Sequence, residues 1–78
     1  MKTYILFVKM RHEQDWLTFT EAGQPVKFAT LSWARLSVKE LFAGEGNLGD
    51  LFEVYGEGWD VEAVKILELA EVECEVRS

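Results

Sequence analysis

From Thr3 to Met10 (TYILFVKM) β-branched, aromatic and other apolar side chains occupy both alternating faces, the pattern of a central strand covered on its two sides. Arg11 to Asp15 (RHEQD) is wholly polar. Trp16 to Thr20 (WLTFT) then sets Leu17 and Phe19 against Thr18 and Thr20, which predicts a half-buried strand folded back on the first as a hairpin. Ala22-Gly23-Gln24-Pro25 marks a turn, and Val26 to Ala29 is placed to extend the sheet before Thr30 or Ser32 caps a helix. In that helix Leu31, Ala34, Val38, Leu41 and Phe42 fall within one stripe, and Gly44 suits the left-handed residue that ends it. With about 100° between successive residues, Trp33 and Leu36 project on the opposite side, near Glu40.

Beyond Gly44-Glu45-Gly46, the β-type residues of Leu51 to Tyr55 (LFEVY) predict a third strand, and Gly56 to Asp60 (GEGWD) supplies a turn into Val61. The last segment has two periods to choose between. As a helix, Val61 to Ala70 scatters its apolar residues all round. As a strand, Val64, Ile66, Ala70, Val72, Cys74 and Val76 share one face, and Glu71, Glu73 and Glu75 share the other. A long strand is therefore expected, bulged near Leu67 to Leu69, where extra apolar residues break the alternation. The predicted fold is α+β in the order ββαββ: a four-stranded, largely antiparallel sheet with one helix on one face, forming a single domain over residues 1–78.

Composition agrees with a folded chain: 49% of the residues are apolar and 13% aromatic, which excludes the weakly hydrophobic make-up of a disordered protein. The lone Cys74 rules out an internal disulfide and favours a reducing, cytoplasmic setting. Its glutamate neighbours disfavour the thiolate, so it is expected to behave as a small apolar residue. The apolar run Tyr4 to Val8 ends at Lys9, too short for a signal-peptide core or a membrane span, so no membrane association is expected.

Charge changes the picture more. Met1 to Phe42 holds six Lys/Arg against four Asp/Glu, whereas Ala43 to Ser78 holds two against ten; the balances of +2 and −8 sum to the −6 of the whole. So acidic a C-terminal half repels nucleic acid and anionic membrane and attracts basic surfaces. Glu71, Glu73 and Glu75, spaced two apart on a strand, would stand about 6.7 Å from one another in a row that imitates a phosphate backbone. Glu57 and Asp60, with Glu62 and Glu68, would widen that row. The competing reading is that such acids only guard a strand edge against aggregation. Trp33 forms the second candidate contact, with Leu36 beside it: exposed, they would anchor a partner, and on a rotated helix or under a folded loop they would be core. One helix cannot cover both faces of a sheet whose first strand is apolar on both, which leaves dimerisation or partner docking to cover the other.

No residue cluster announces a reaction. His12-Glu13-Gln14-Asp15 packs potential metal ligands into adjacent positions of a turn, where side chains diverge. A triad from Ser32 or Ser37, His12 and a carboxylate lacks any ordering motif. The loop Gly44 to Asp50 is glycine-rich but carries two acids and no base, so it would repel a phosphate, and its acids do not fall at calcium-loop positions. No catalytic residue, metal or cofactor is expected, and the chain is read as a non-enzymatic binding protein.

An opening strand at Met1-Lys2-Thr3-Tyr4-Ile5, a second strand, a helix through Phe28-Ala29-Thr30-Leu31-Ser32-Trp33-Ala34-Arg35 and a closing acidic hairpin together resemble the small phage-encoded anti-CRISPR proteins in organisation and size. Those proteins share no common motif, so no residue role is carried over. The resemblance implies an inhibitor that binds a subunit of an RNA-guided surveillance complex in the host cytoplasm, by occupying the basic surface where DNA would enter. It also implies no direct contact with nucleic acid. The alternatives are an immunity protein or antitoxin neutralising a basic toxin, which would use the same charge complementarity, and a small structural subunit.

Overall fold

The computed structural model describes residues 2–55 and 60–70, in which the chain runs β1 (Lys2–Met10), β2 (Leu17–Thr18), β3 (Thr20–Glu21), β4 (Gln24–Pro25), α1 (Leu31–Ala43), α2 (Asp50–Tyr55) and β5 (Val61–Ala70). The class is α+β with antiparallel pairing, as the pattern predicts. The expected single four-stranded sheet is instead divided into a three-stranded sheet, ordered β2-β1-β5, and a two-stranded β3-β4 ribbon.

Phe19 is where the division occurs. Its N–H donates to the Leu6 carbonyl at 2.8 Å, while its own carbonyl accepts from Val26 N–H at 3.0 Å. The backbone therefore leaves one sheet and enters the other at this residue, and the side chain is driven into the core, 1% exposed. The turn of the ribbon is tighter than Ala22 to Pro25. It comprises Ala22 and Gly23, both at positive φ (54° and 80°), and Gln24 and Pro25 already belong to β4. Two central residues of positive φ match the right-handed twist of a hairpin. Val26 to Ala29 does return to the main sheet, through the paired backbone bonds of Phe28 with Tyr4.

β1 is the central strand that its two apolar faces predict, with β2 on one side and β5 on the other. The β1–β5 register runs from Lys2 opposite Ala70 to Met10 opposite Val61, with one irregularity at Lys9 and Met10. Lys9 faces Ala63 and Met10 faces Val61, so the extra residue is Glu62. The bulge is thus at Glu62; the expected one at Leu67 to Leu69 is absent, since Leu67 and Leu69 pair regularly with Ile5 and Thr3. A bulge at Glu62 returns Val61 to the face shared by Val64 and Ile66, all three packed on the core. The stretch expected to continue this strand past Ala70 lies outside the described residues, as does the turn at 56–59.

The second correction is at Leu51 to Tyr55, which is helical. Asp50 and Glu53 stand in the first turn, where the helix dipole favours carboxylates. Leu51 and Tyr55, four apart, share the face toward the core, while Glu53 and Val54 are exposed. A strand would have put Glu53 on the same face as Leu51 and Tyr55, so the helix is the conformation that avoids burying a carboxylate.

α1 starts and ends where its signals stand. Thr30 is extended (φ −132°, ψ 152°) and its Oγ1 accepts the Trp33 N–H at 3.1 Å; Gly44 closes the helix at φ 73°. Its inner stripe is Ala34, Val38 and Leu41, with Ser37 also buried. Phe42, expected on that stripe, is 53% exposed. These residues meet Leu6, Val8, Met10 and Phe19 from the sheets, and Leu48 and Leu51 close the cluster from below. This cluster thus lies on one side of β1, while Ile5 and Thr3 are buried on the other.

Candidate binding surfaces

Trp33 and Leu36 stay outside the core, 61% and 51% exposed. Both line a cleft of about 130 Å³ between α1 and the strand region, floored by Phe19, Val26 and Phe28 and edged by Glu40 and Asn47. Among the described residues lining this cleft, Glu40 alone is ionisable. The loop after α1 leaves room for it: a side chain at Gly46, which has φ 81°, would strike the Glu40 carboxyl carbon or its oxygens. The cleft thus presents an aromatic wall, an apolar floor and one negative charge. The exposure of Trp33 and Leu36 was legible in the helical wheel. Its floor was not, because Phe19, Val26 and Phe28 come together only through the turn at Ala22 and Gly23.

Asp60 is exposed and forms an ion pair with Arg11, Oδ2 to Nε 3.1 Å, while its carbonyl accepts the Arg11 N–H at 2.9 Å. It ties the end of β1 to the start of β5 and does not line the Trp33 cleft. Glu57, Glu71, Glu73 and Glu75 lie outside the described residues. Of the other acids expected to widen the glutamate row, Glu62 pairs with Lys9 at 3.1 Å and Glu68 with Lys2 at 3.3 Å. The cations of β1 and its following turn therefore neutralise the described acids of the last strand, one by one.

A second group of acids, Glu21, Asp50 and Glu53, surrounds the β3-β4 turn. Asp50 is committed to structure. Its Oδ2 accepts from Gly23 N–H at 2.8 Å and from Thr20 Oγ1 at 2.8 Å, and its Oδ1 accepts from Ala22 N–H at 2.9 Å. The Gly23 amide first and the Thr20 hydroxyl second hold the Asp50 carboxyl below the ordinary carboxylate range; burial opposes them, and the Ala22 amide adds the smallest contribution. The two successive amides make a small anion nest that the protein fills with its own side chain. Spacing gave one clue to this, since Asp50 and Glu53 are the acid-x-x-acid pair of a helix start.

The other face of the three-stranded sheet carries Ile5 and Thr3, both buried, but no member of the main apolar cluster. Phe7, Trp16, Lys65 and Leu67 outline a shallow depression on it, with the Lys65 ammonium 4.2 Å from the centre of the Trp16 ring, a cation–π contact. Among the described residues no helix packs there. His12 sits exposed in a turn at φ 72°. Among the described residues, His, Cys, Asp and Glu form no group of three able to hold a metal ion, and no helix is long and apolar enough to cross a membrane. Comparison of the chain with protein-family models, with curated proteins and with solved structures finds no match.

Proposed function

We propose that the protein acts by binding and not by catalysis, seating Trp33 and Leu36 on a basic protein surface. The observation that supports it is the Trp33–Leu36 cleft: two large apolar side chains more than half exposed, beside an apolar floor with Glu40 at its rim. Exposed aromatic anchors at a concave site are what interface centres use, and a carboxylate at the rim selects a cationic neighbour. The net charge of −6 works in the same direction at longer range. In the specific form that the resemblance to anti-CRISPR proteins implies, the partner is a subunit that holds nucleic acid in a positively charged channel, and the inhibitor and the nucleic acid compete for it.

Affinity capture with the purified chain, repeated with Trp33→Ala and with Glu40→Lys, tests this. The expected result is a captured protein with a basic nucleic-acid-binding surface, released by added DNA and by high salt, and recovered poorly with either variant. Capture that neither variant nor DNA diminishes would refute the assignment of this cleft.

A further inference from the structure

β5 is an edge strand. It pairs with β1 over Val61–Ala70, and among the described residues its outer edge has no strand partner. Ten residues of unpaired backbone extend about 33 Å, a template for another strand unless it is guarded. Proteins guard such edges with proline, with outward charges or with a covering element. β5 contains no proline, and its three charged side chains all reach inward to their own sheet: Glu62 to Lys9, Glu68 to Lys2, and Lys65 to the Trp16 ring. The edge is long and regular beyond Glu62, and each of its charged side chains already has a partner in its own sheet.

The geometry points to a second copy of this chain as the occupant, pairing β5 with β5 antiparallel about a two-fold axis at Ile66 to make one continuous six-stranded sheet. An antiparallel seam with two-fold symmetry must oppose residues of the same parity, since opposite residues share a face. Centring it on Lys65 would oppose Lys65 to itself and Glu62 to Glu68, like charges that destabilise a cross-strand pair. Centring it on Val64 would include the bulge at Glu62 and oppose Asp60 to Glu68. Centring it on Ile66 uses the regular run from Ala63 to Leu69, which is symmetric about that residue. It opposes Ile66 to Ile66, Lys65 to Leu67, Val64 to Glu68 and Ala63 to Leu69, with no like charges directly opposed. Leu67, 42% exposed in the single chain, then gains the methylene stem of Lys65 from the other copy, twice by symmetry.

Sedimentation equilibrium of the full chain, with Leu67→Lys and Leu67→Glu, tests the seam. Leu67 is outside the core cluster, so circular dichroism should show both variants folded. The parent should dimerise reversibly. Leu67→Lys places like charges opposite Lys65 at two symmetric positions and should weaken the dimer about tenfold, whereas Leu67→Glu places a carboxylate there and should leave it as tight or tighter. A parent that stays monomeric at millimolar concentration would overturn the proposal, as would equal weakening by the two variants, which would mean association through the apolar sheet face.

Discussion

Asp50 shows how much one side chain can decide here. Its carboxylate takes two consecutive amides and a hydroxyl from the β3-β4 turn, and it does so while opening α2. Ala22, a residue with a Cβ, is thereby held at a φ of 54° that normally favours glycine. Because the folded protein holds Asp50 below its ordinary pKa of about 3.9, the stabilisation is complete above that value and is lost as pH falls through the lower, folded one. Acid unfolding followed by circular dichroism should therefore show a loss of stability in the parent below about pH 4. Asp50→Asn, which keeps the shape but not the charge, should be less stable at neutral pH and should lack that component. Matching acid profiles for the two proteins would show that the carboxylate is solvated and not clamped.

At the scale of elements, α1 separates core from contact surface along one helix. Leu41 is 1% exposed and packed among Leu6, Val8 and Phe19, so Leu41→Ala should cost about 2 to 5 kcal/mol in chemical denaturation. Trp33→Ala should stay within about 0.5 kcal/mol, because the larger side chain is outside the core. Similar losses for the two would return Trp33 to the core and remove it as an anchor. This helix was legible because local signals determine it: Thr30 before the stripe, Gly44 after it, and a period near 3.6 between. The central strand was legible for the same reason, its two apolar faces being visible without knowledge of what covers them. The short helix at Asp50–Tyr55 runs against the strand preference of Phe52, Val54 and Tyr55, and the cost of burying Glu53 decides for it. The bulge at Glu62 and the break at Phe19 were hidden more deeply, since each is set by register against β1 and by packing of the whole core. The cleft shares that fate: its two anchors follow from the helical wheel, its floor only from the tertiary path.

For the whole molecule, the uneven distribution of charge has two consequences that salt can separate. Lys2, Lys9 and Arg11, from β1 and the turn after it, meet Glu68, Glu62 and Asp60, drawing the basic beginning and the acidic end of the chain together. The Lys2–Glu68 and Arg11–Asp60 pairs are exposed and Lys9–Glu62 is half-buried on its lysine side, and exposed pairs contribute about 0 to 1 kcal/mol each. Screening them should change the unfolding midpoint little, because the buried apolar cluster, and not these bridges, holds the fold. Association is different. Cancelling three acids against three cations leaves the net charge at −6, and that remainder acts at distances where a basic partner is still approaching. The screening length falls from about 8 Å at physiological ionic strength to about 3 Å at 1 M salt, so the on-rate should drop steeply over that range while the dissociation rate, which the proposed Trp33 contact would govern, should move much less. Surface-plasmon kinetics against the captured partner, run beside thermal unfolding in the same buffers, would measure both. An on-rate insensitive to salt would mean that the partner is not basic, even if Trp33 still anchors it; a melting temperature that collapses with salt would mean that the ion pairs hold β5 to β1 more strongly than exposed pairs do.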